Sequence, residues 1–238
     1  GLDTAPAPLS AIEIDGKPVT WTGAEQKRLD ASPNGVNTLT IEARGAGGLT
    51  LIQTIELFPD RPFVRLSAIV VNHGSDTVTV SDCAILSLAV PQAPLYLFHV
   101  DQFSWAYRRD FFSDHQAQIW PDRIPLEVRM GSFPSHHNGP SSCAWFALRP
   151  PPHDYDEDAP PHTGPGLVGG IEFNGKSRLK AWASPALCQL SNAIEALRHS
   201  LTPGASFEVP ACFVGRYHGD WDEALAETLA ANIGITLT

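Results

Sequence analysis

Cysteine is scarce and badly placed for chemistry. The 238 residues hold four cysteines, Cys83, Cys143, Cys188 and Cys212, widely separated and without a C-x-x-C pair. That spacing argues against a cysteine metal cluster. Buried reduced thiols on strands are the expectation, with room for one disulfide. Basic charge is also short: 16 Lys and Arg stand against 26 Asp and Glu, a formal net charge of −10. Nucleic-acid binding needs a basic patch, and none is visible. An anionic membrane is excluded as a partner for the same reason. No apolar run approaches the roughly 20 residues of a membrane helix. No basic, apolar, then small-residue signal opens the chain, and a cytoplasmic location is favoured. The chain begins Gly-Leu-Asp without Met, as expected of a processed protein or an expressed fragment with a leftover Gly. There is no internal repeat, and no G-x-S-x-G elbow for a Ser-His-Asp hydrolase.

What is present is punctuation. The 21 prolines and 19 glycines are spread along the chain, marking the ends of many short strands. With 43% hydrophobic and 18% charged residues, the chain is globular and core-forming. Its length suits one large all-β domain. The most ordered pattern runs from Leu49 to Ala89. Leu51, Gln53, Ile55 and Leu57 alternate with Ile52, Thr54, Glu56 and Phe58. Phe58-Pro59-Asp60-Arg61-Pro62 breaks the chain, Phe63–Val71 extends it, Asn72–Asp76 turns it, and Thr77–Val80 starts again. The β-branched content disfavours helix. An antiparallel meander of three consecutive strands is expected.

Weaker strands are expected at Ala11–Ile14, Lys17–Trp21 and Gly35–Ala43, with Gly16 and Asn34-Gly35 as turns. Residues 81–100 continue as sheet, and Pro91 and Pro94 mark them as an edge or crossover. Residues 98–130 mix Phe, Trp, Tyr, Asp, Arg and His without clean period. They read either as core filler with surface ion pairs or as a cleft lining. In 131–148, His136 and His137 are adjacent, and neighbours on a strand face opposite ways, so they do not share a metal. No cofactor or metal is expected. Residues 149–166 carry six prolines and the acidic run Asp154, Asp156, Glu157, Asp158. They lack the twelve-residue calcium-loop spacing and read as a solvated insertion. Leu167–Phe173 is expected to meet Lys180–Ala183 in a hairpin across Asn174-Gly175-Lys176. Gln189–Leu197 and Phe207–Gly215 follow, with Pro203-Gly204 as a turn. Finally, Asp220 with Glu223 makes a capping-box spacing, and Trp221, Leu225 and Leu229 form one stripe. A helix over 219–238, leading on to a further domain, is expected after a β domain over 1–218.

Three blocks resemble the N-terminal β-supersandwich domain of glycoside hydrolase family 36, the melibiase-type α-galactosidases. They are IELFPDRPFVRLSAIVVNHGSDTVTV (55–80), SWAYRR (104–109) with GSFPSHHNGPSSCAWFAL (131–148), and GGIEFNGKSRLKAWA (169–183) with LTPGASFEVPACFVGRYHGDWDEA (201–224). The sequence departs from the family at Asn138-Gly139-Pro140, at Asn174-Gly175-Lys176 and in the Pro-rich insertion. The resemblance implies a large antiparallel, galactose mutarotase-like β-sandwich followed by a helix. It also implies a non-catalytic role, packing on a (β/α)8 barrel and shaping carbohydrate access or oligomerisation. The family's nucleophile and acid/base sit on that barrel, which takes about 250 residues, so no catalytic residue carries over. Retaining hydrolysis needs two carboxylates about 5–5.5 Å apart; Asp101, Asp110, Asp114, Asp122 and Glu127 are candidates by composition only. The fragment alone is therefore expected to be inactive, its partners being an α-galactoside-like carbohydrate through the parent enzyme, a barrel domain and further copies of itself. Carbohydrate or interface candidates are Asp101, Trp105, Arg108, Arg109, Trp120, His136, His137 and Asn138. Two other readings stay open: a free-standing carbohydrate-binding or mutarotase-like module, and a ligand-free interaction sandwich.

Overall fold

Alternating burial along Leu49–Leu57 and Phe63–Asn72 shows what the apolar period of two does here. It turns one face of each strand inward and leaves the other to be dealt with separately. The computed structural model describes residues 11–31, 35–59, 61–91, 94–102, 112–121, 123–131, 141–142, 144–150, 164–173, 175–219 and 224. In chain order the strands are β1 (Ile12–Ile14), β2 (Lys17–Pro18), β3 (Thr22–Ala31), β4 (Asn37–Arg44), β5 (Leu49–Leu57) and β6 (Phe63–Asn72). Next come β7 (Val78–Val90), β8 (Leu95–Gln102), β9 (Phe112–Ile119), β10 (Leu126–Met130), β11 (Ser141–Ser142) and β12 (Trp145–Arg149). The last are β13 (Gly164–Ile171), β14 (Ser177–Ser184), β15 (Leu187–Ile194), β16 (His199–Leu201) and β17 (Ser206–Gly219).

Two layers result. The larger is one antiparallel ladder in the order β3, β4, β5, β6, β17, β13, β12, β8, β9. The smaller runs β10, β14, β15, β7, β1, β2, with β16 extending the β15 side of β7. Between them lies a core of Leu97, Phe146, Leu148, Leu179, Leu190 and their neighbours. Each of these five is at most 1% exposed, and burial of such side chains contributes about 1.5–3 kcal/mol apiece. A second core, with Ile12, Leu51, Val70, Val80 and Leu201, fills the β1–β5 end. The all-β antiparallel sandwich is thus as the sequence implied. Of the expected helix only Ala224 is described; it is helical and buried.

The larger sheet is buried on its outer face too. Phe63, Phe98, Trp145, Ala147, Val168, Phe213, Tyr217 and Ala224 cluster there. Phe63 and Phe213 meet edge to face, as do Phe98 and Trp145, the arrangement favoured by ring quadrupoles. Three rings lie over the glycine directly across the ladder: Tyr217 over Gly166, Phe213 over Gly170 and Phe63 over Gly215. A Cβ on Gly170 would stand 2.3 Å from the Phe213 ring. The glycines are therefore sockets.

Two pairings differ from those expected. The strands of 49–80 do not make a three-stranded meander: β5 and β6 pair, but β7 crosses to the smaller sheet because β17 already occupies the other edge of β6. The meander is instead β3–β4–β5–β6. The hairpin across 174–176 does not form either. β13 pairs with β12 and β17, while β14 pairs with β10 and β15, so 172–176 carries the chain between layers. Of the edge or crossover expected for 81–100, the crossover holds: β7 lies in the smaller sheet and β8 in the larger, between β9 and β12. In addition, β3 runs over Thr22–Ala31, where no strand was expected, and β2 ends at Pro18.

Asn72 holds the first of these crossings. It is fully buried. Its Nδ2 donates to the carbonyls of Asp76 (2.8 Å) and Leu201 (2.9 Å), and its Oδ1 accepts from the Gly74 amide (2.9 Å). Its backbone pairs with Ala205 and Gly204. One amide side chain therefore ties the 73–77 turn to the 202–205 turn. Truncating it strands the buried Leu201 carbonyl and leaves the half-buried Asp76 carbonyl and Gly74 amide without this partner. Asn72→Ala is expected to lower the unfolding free energy by about 2–3 kcal/mol in urea titration; a loss below about 0.5 kcal/mol would contradict this role. Gly170→Ala is expected to cost about 1–3 kcal/mol through overpacking against Phe213, with the midpoint shift largely recovered in a Gly170→Ala/Phe213→Leu double variant.

Candidate functional site

The strands place the sequence-derived candidates at two ends of the larger sheet. At one end, Gln102 of β8 stands opposite both Phe112 and Ser141, and Ser142 is in register with Asp101 and Met130. The segments 103–111 and 132–140 are therefore rooted within a residue or two of one another. They carry Trp105, Arg108, Arg109, His136, His137 and Asn138, all of which lie outside the described residues. Asp101 is placed on β8 by its backbone; its side chain is not described.

Trp120 is at the other end. It follows Ile119, which pairs with Leu95 at the start of β8. Leu95 and Gln102 are seven residues apart on an extended strand, roughly 23 Å. Trp120 is thus separated along β8 from Asp101. A strand's period of two puts Gln118 and Trp120 on the outer face, since Ile119 belongs to the inter-sheet core. Tyr96 stands opposite Gln118, and Arg149 opposite Tyr96. Trp120 Nε1 donates to Gln118 Oε1, and Gln118 Nε2 donates to Tyr96 Oη. Pro121 bridges to Ala183. The result is an open cleft of about 570 Å³ lined by Gln118, Trp120, Arg123 and Ile124. Trp120 is 41% and Ile124 92% exposed, whereas Tyr96 is 9% exposed. At the same end, Arg149 and Arg216 flank an apolar mouth between the layers formed by Val90, Leu95, Leu148 and Leu167.

The described ionic clusters tie strands together. Arg65 of β6 makes a bidentate pair with Glu172 (2.7 Å for each bond) and a third bond to Glu56 of β5 (2.7 Å). Its guanidinium is held well above its usual proton affinity, chiefly by the bond to Glu172. Arg178 bridges Glu127 (2.9 Å) and Glu195 (2.7 Å) on the smaller sheet. Glu127, a candidate acid by composition, is engaged there. Among the described residues, no group of three or more His, Cys, Asp or Glu is arranged to hold a metal ion.

Cys83, Cys188 and Cys212 are free and buried, as expected; Cys143 lies outside the described residues. Burial pushes the Cys83 thiol up to about 12, with the Asp82 charge adding to it. Burial pushes Cys188 up to about 11. Cys212 is also pushed up to about 12, by burial first and then by Glu172. All three remain protonated at neutral pH and act as small apolar fillers rather than nucleophiles.

Sequence reasoning missed the outer aromatic face. Its signal was the alternation of Phe213, Gly215 and Tyr217 together with the glycines of 164–170, a pattern of rings and sockets on one side of two strands.

The sequence matches no protein-family model and no curated protein. The fold does have relatives. An α-galactosidase from Lactobacillus brevis superposes with TM-score 0.67 at 15% identity, over 90% of this chain and 30% of that one. The galactosidase domain of an α-galactosidase–sucrose kinase gives 0.65 at 14%, over 88% and 30%. A family 36 α-galactosidase of Geobacillus stearothermophilus gives 0.63 at 16%, over 92% and 31%; substituted forms of that enzyme are solved with raffinose and with stachyose. This chain spans about 30% of the length of these proteins. The chain folds as the β-supersandwich that forms one part of the family 36 α-galactosidases.

Proposed function

We propose that this chain is the N-terminal, non-catalytic domain of an α-galactosidase-like glycoside hydrolase, packing on a (β/α)8 barrel. The observation that carries the reading is the pair of coverages: about 90% of this chain superposes on about 30% of each α-galactosidase. A barrel of about 250 residues has no room in these 238 residues, whose described part already forms seventeen strands of another fold. The described carboxylates Glu56, Glu172, Glu127 and Glu195 are spent on strand-tying ion pairs. Chemistry is supplied by the barrel, and this domain acts by positioning.

The two segments rooted beside Gln102 are the natural contact with the barrel or with a neighbouring subunit. Their sequences concentrate Trp, Tyr, Arg and His, among them residue types enriched at interface cores. By restricting the substrate mouth they shape carbohydrate access.

The test is hydrolysis of p-nitrophenyl α-galactoside and of raffinose by the 238-residue chain and by the full product of its gene. The chain alone is expected to show no turnover and the full product to show it. Trp105→Ala in the full product is expected to raise KM more than it lowers kcat, because a mouth residue contributes binding rather than chemistry. Turnover by the chain alone, or a full product inert towards α-galactosides, would overturn the reading.

A further inference from the structure

We infer that the cleft around Trp120 is a second carbohydrate-contacting site, one that stacks a neutral pyranose on the indole. The inference rests on the reading that the parent protein processes carbohydrate, but it concerns a different end of the molecule. Trp120 is the exposed tryptophan among the described residues. Ile124 beside it is 92% exposed, so the two line one open cleft as a small apolar patch, the kind of surface that marks a contact site.

Its ring is also fixed. The indole N–H is taken by Gln118 Oε1, and the Gln118 amide N–H by the Tyr96 hydroxyl. Tyr96 is buried and in register with Gln118 on the next strand. The next residue, Pro121, is locked by its bridge to Ala183. The edge of the ring is thus consumed by hydrogen bonds, while a face stays open. A platform held this way loses little rotamer entropy on binding.

The surroundings select the ligand class. Arg123 lines the cleft and offers N–H donors, which match sugar hydroxyls. Ile124 forms an apolar wall. The volume of about 570 Å³ falls in the roughly 300–1,000 Å³ of small-molecule sites, enough for one or two sugar units. A nucleic acid would also stack on an indole, but it needs a basic groove, and the chain carries a net charge of −10. At roughly 23 Å along β8 from Asp101, the cleft lies away from the end assigned to the barrel. It suits a remote unit of an oligosaccharide or a second chain of one.

The experiment is an NMR titration of the 238-residue chain with galactose, raffinose and stachyose, with sorbitol as a control lacking a ring. Saturable shifts are expected for the Trp120 indole N–H and the Gln118 side-chain amide, with a Kd in the millimolar range, weak as befits a single platform. Trp120→Ala should weaken binding at least tenfold, and Trp120→Phe should retain part of it. Gln118→Leu, which frees the ring without removing it, should weaken binding about threefold with an unchanged melting temperature. No shift up to about 50 mM sugar, or shifts that persist in Trp120→Ala, would overturn the proposal and leave Trp120 as a protein contact. The two readings fail separately. Sugar binding at Trp120 with a full product inert on α-galactosides sinks only the galactosidase reading. Hydrolysis without binding at Trp120 sinks only the platform.

Discussion

The double ladder of β17 is the interaction on which the rest of this structure depends. This strand, fourteen residues long, comes last in the sequence yet lies in the middle of the larger sheet. On one side it pairs with β6 from Phe63 to Val71; on the other it pairs with β13 from Gly164 to Ile171. Without it, β3–β6 on one side and β13, β12, β8 and β9 on the other would be two separate sheets with bare edges, a liability for aggregation. The strand accommodates a proline by bulging. The ladder to β6 shifts register between Val209 and Cys212 around Pro210, which has no N–H to give. The same bulge frees the Ala211 carbonyl to accept from Glu172, at the point where the chain leaves β13. Because β17 joins partners far apart in sequence, folding pays the loop-closure entropy before this ladder is complete.

From that strand both faces of the sheet follow. Cys212 and Val214 look into the inter-sheet core, and Phe213 and Tyr217 look outward. The outward rings need glycine opposite them, and Gly166 and Gly170 on β13 supply it. Ala224 is buried among the outer rings. The functional consequence is separation. Gln102 and the Trp120 cleft lie at opposite ends of β8 and β9.

Much of the strand content was legible in the sequence. Period-two alternation marked β5 and β6, and Pro91 and Pro94 bounded the β7–β8 connection as expected. Pairing was not legible. Asn72–Asp76 and Asn174–Lys176 look like local hairpin turns, and a local signal says nothing about which distant strand has already claimed an edge. β6 is claimed by β17, and β13 by β12 and β17. β3 was missed because Glu25, Lys27, Arg28 and Asp30 give it no apolar face, the composition of a protected edge strand. Trp120 was singled out by residue type alone. Its distance from Asp101 depends on strand direction, which composition does not carry.

The central claim, that β17 unites the molecule, is tested most directly by native-state hydrogen exchange. The amides of Val214, Gly215 and Tyr217 are predicted to exchange only through global unfolding, together with those of β6 and β13, and with the same dependence on denaturant. Exchange of the β17 amides through a low-energy local opening, while β4–β6 stays protected, would contradict the account.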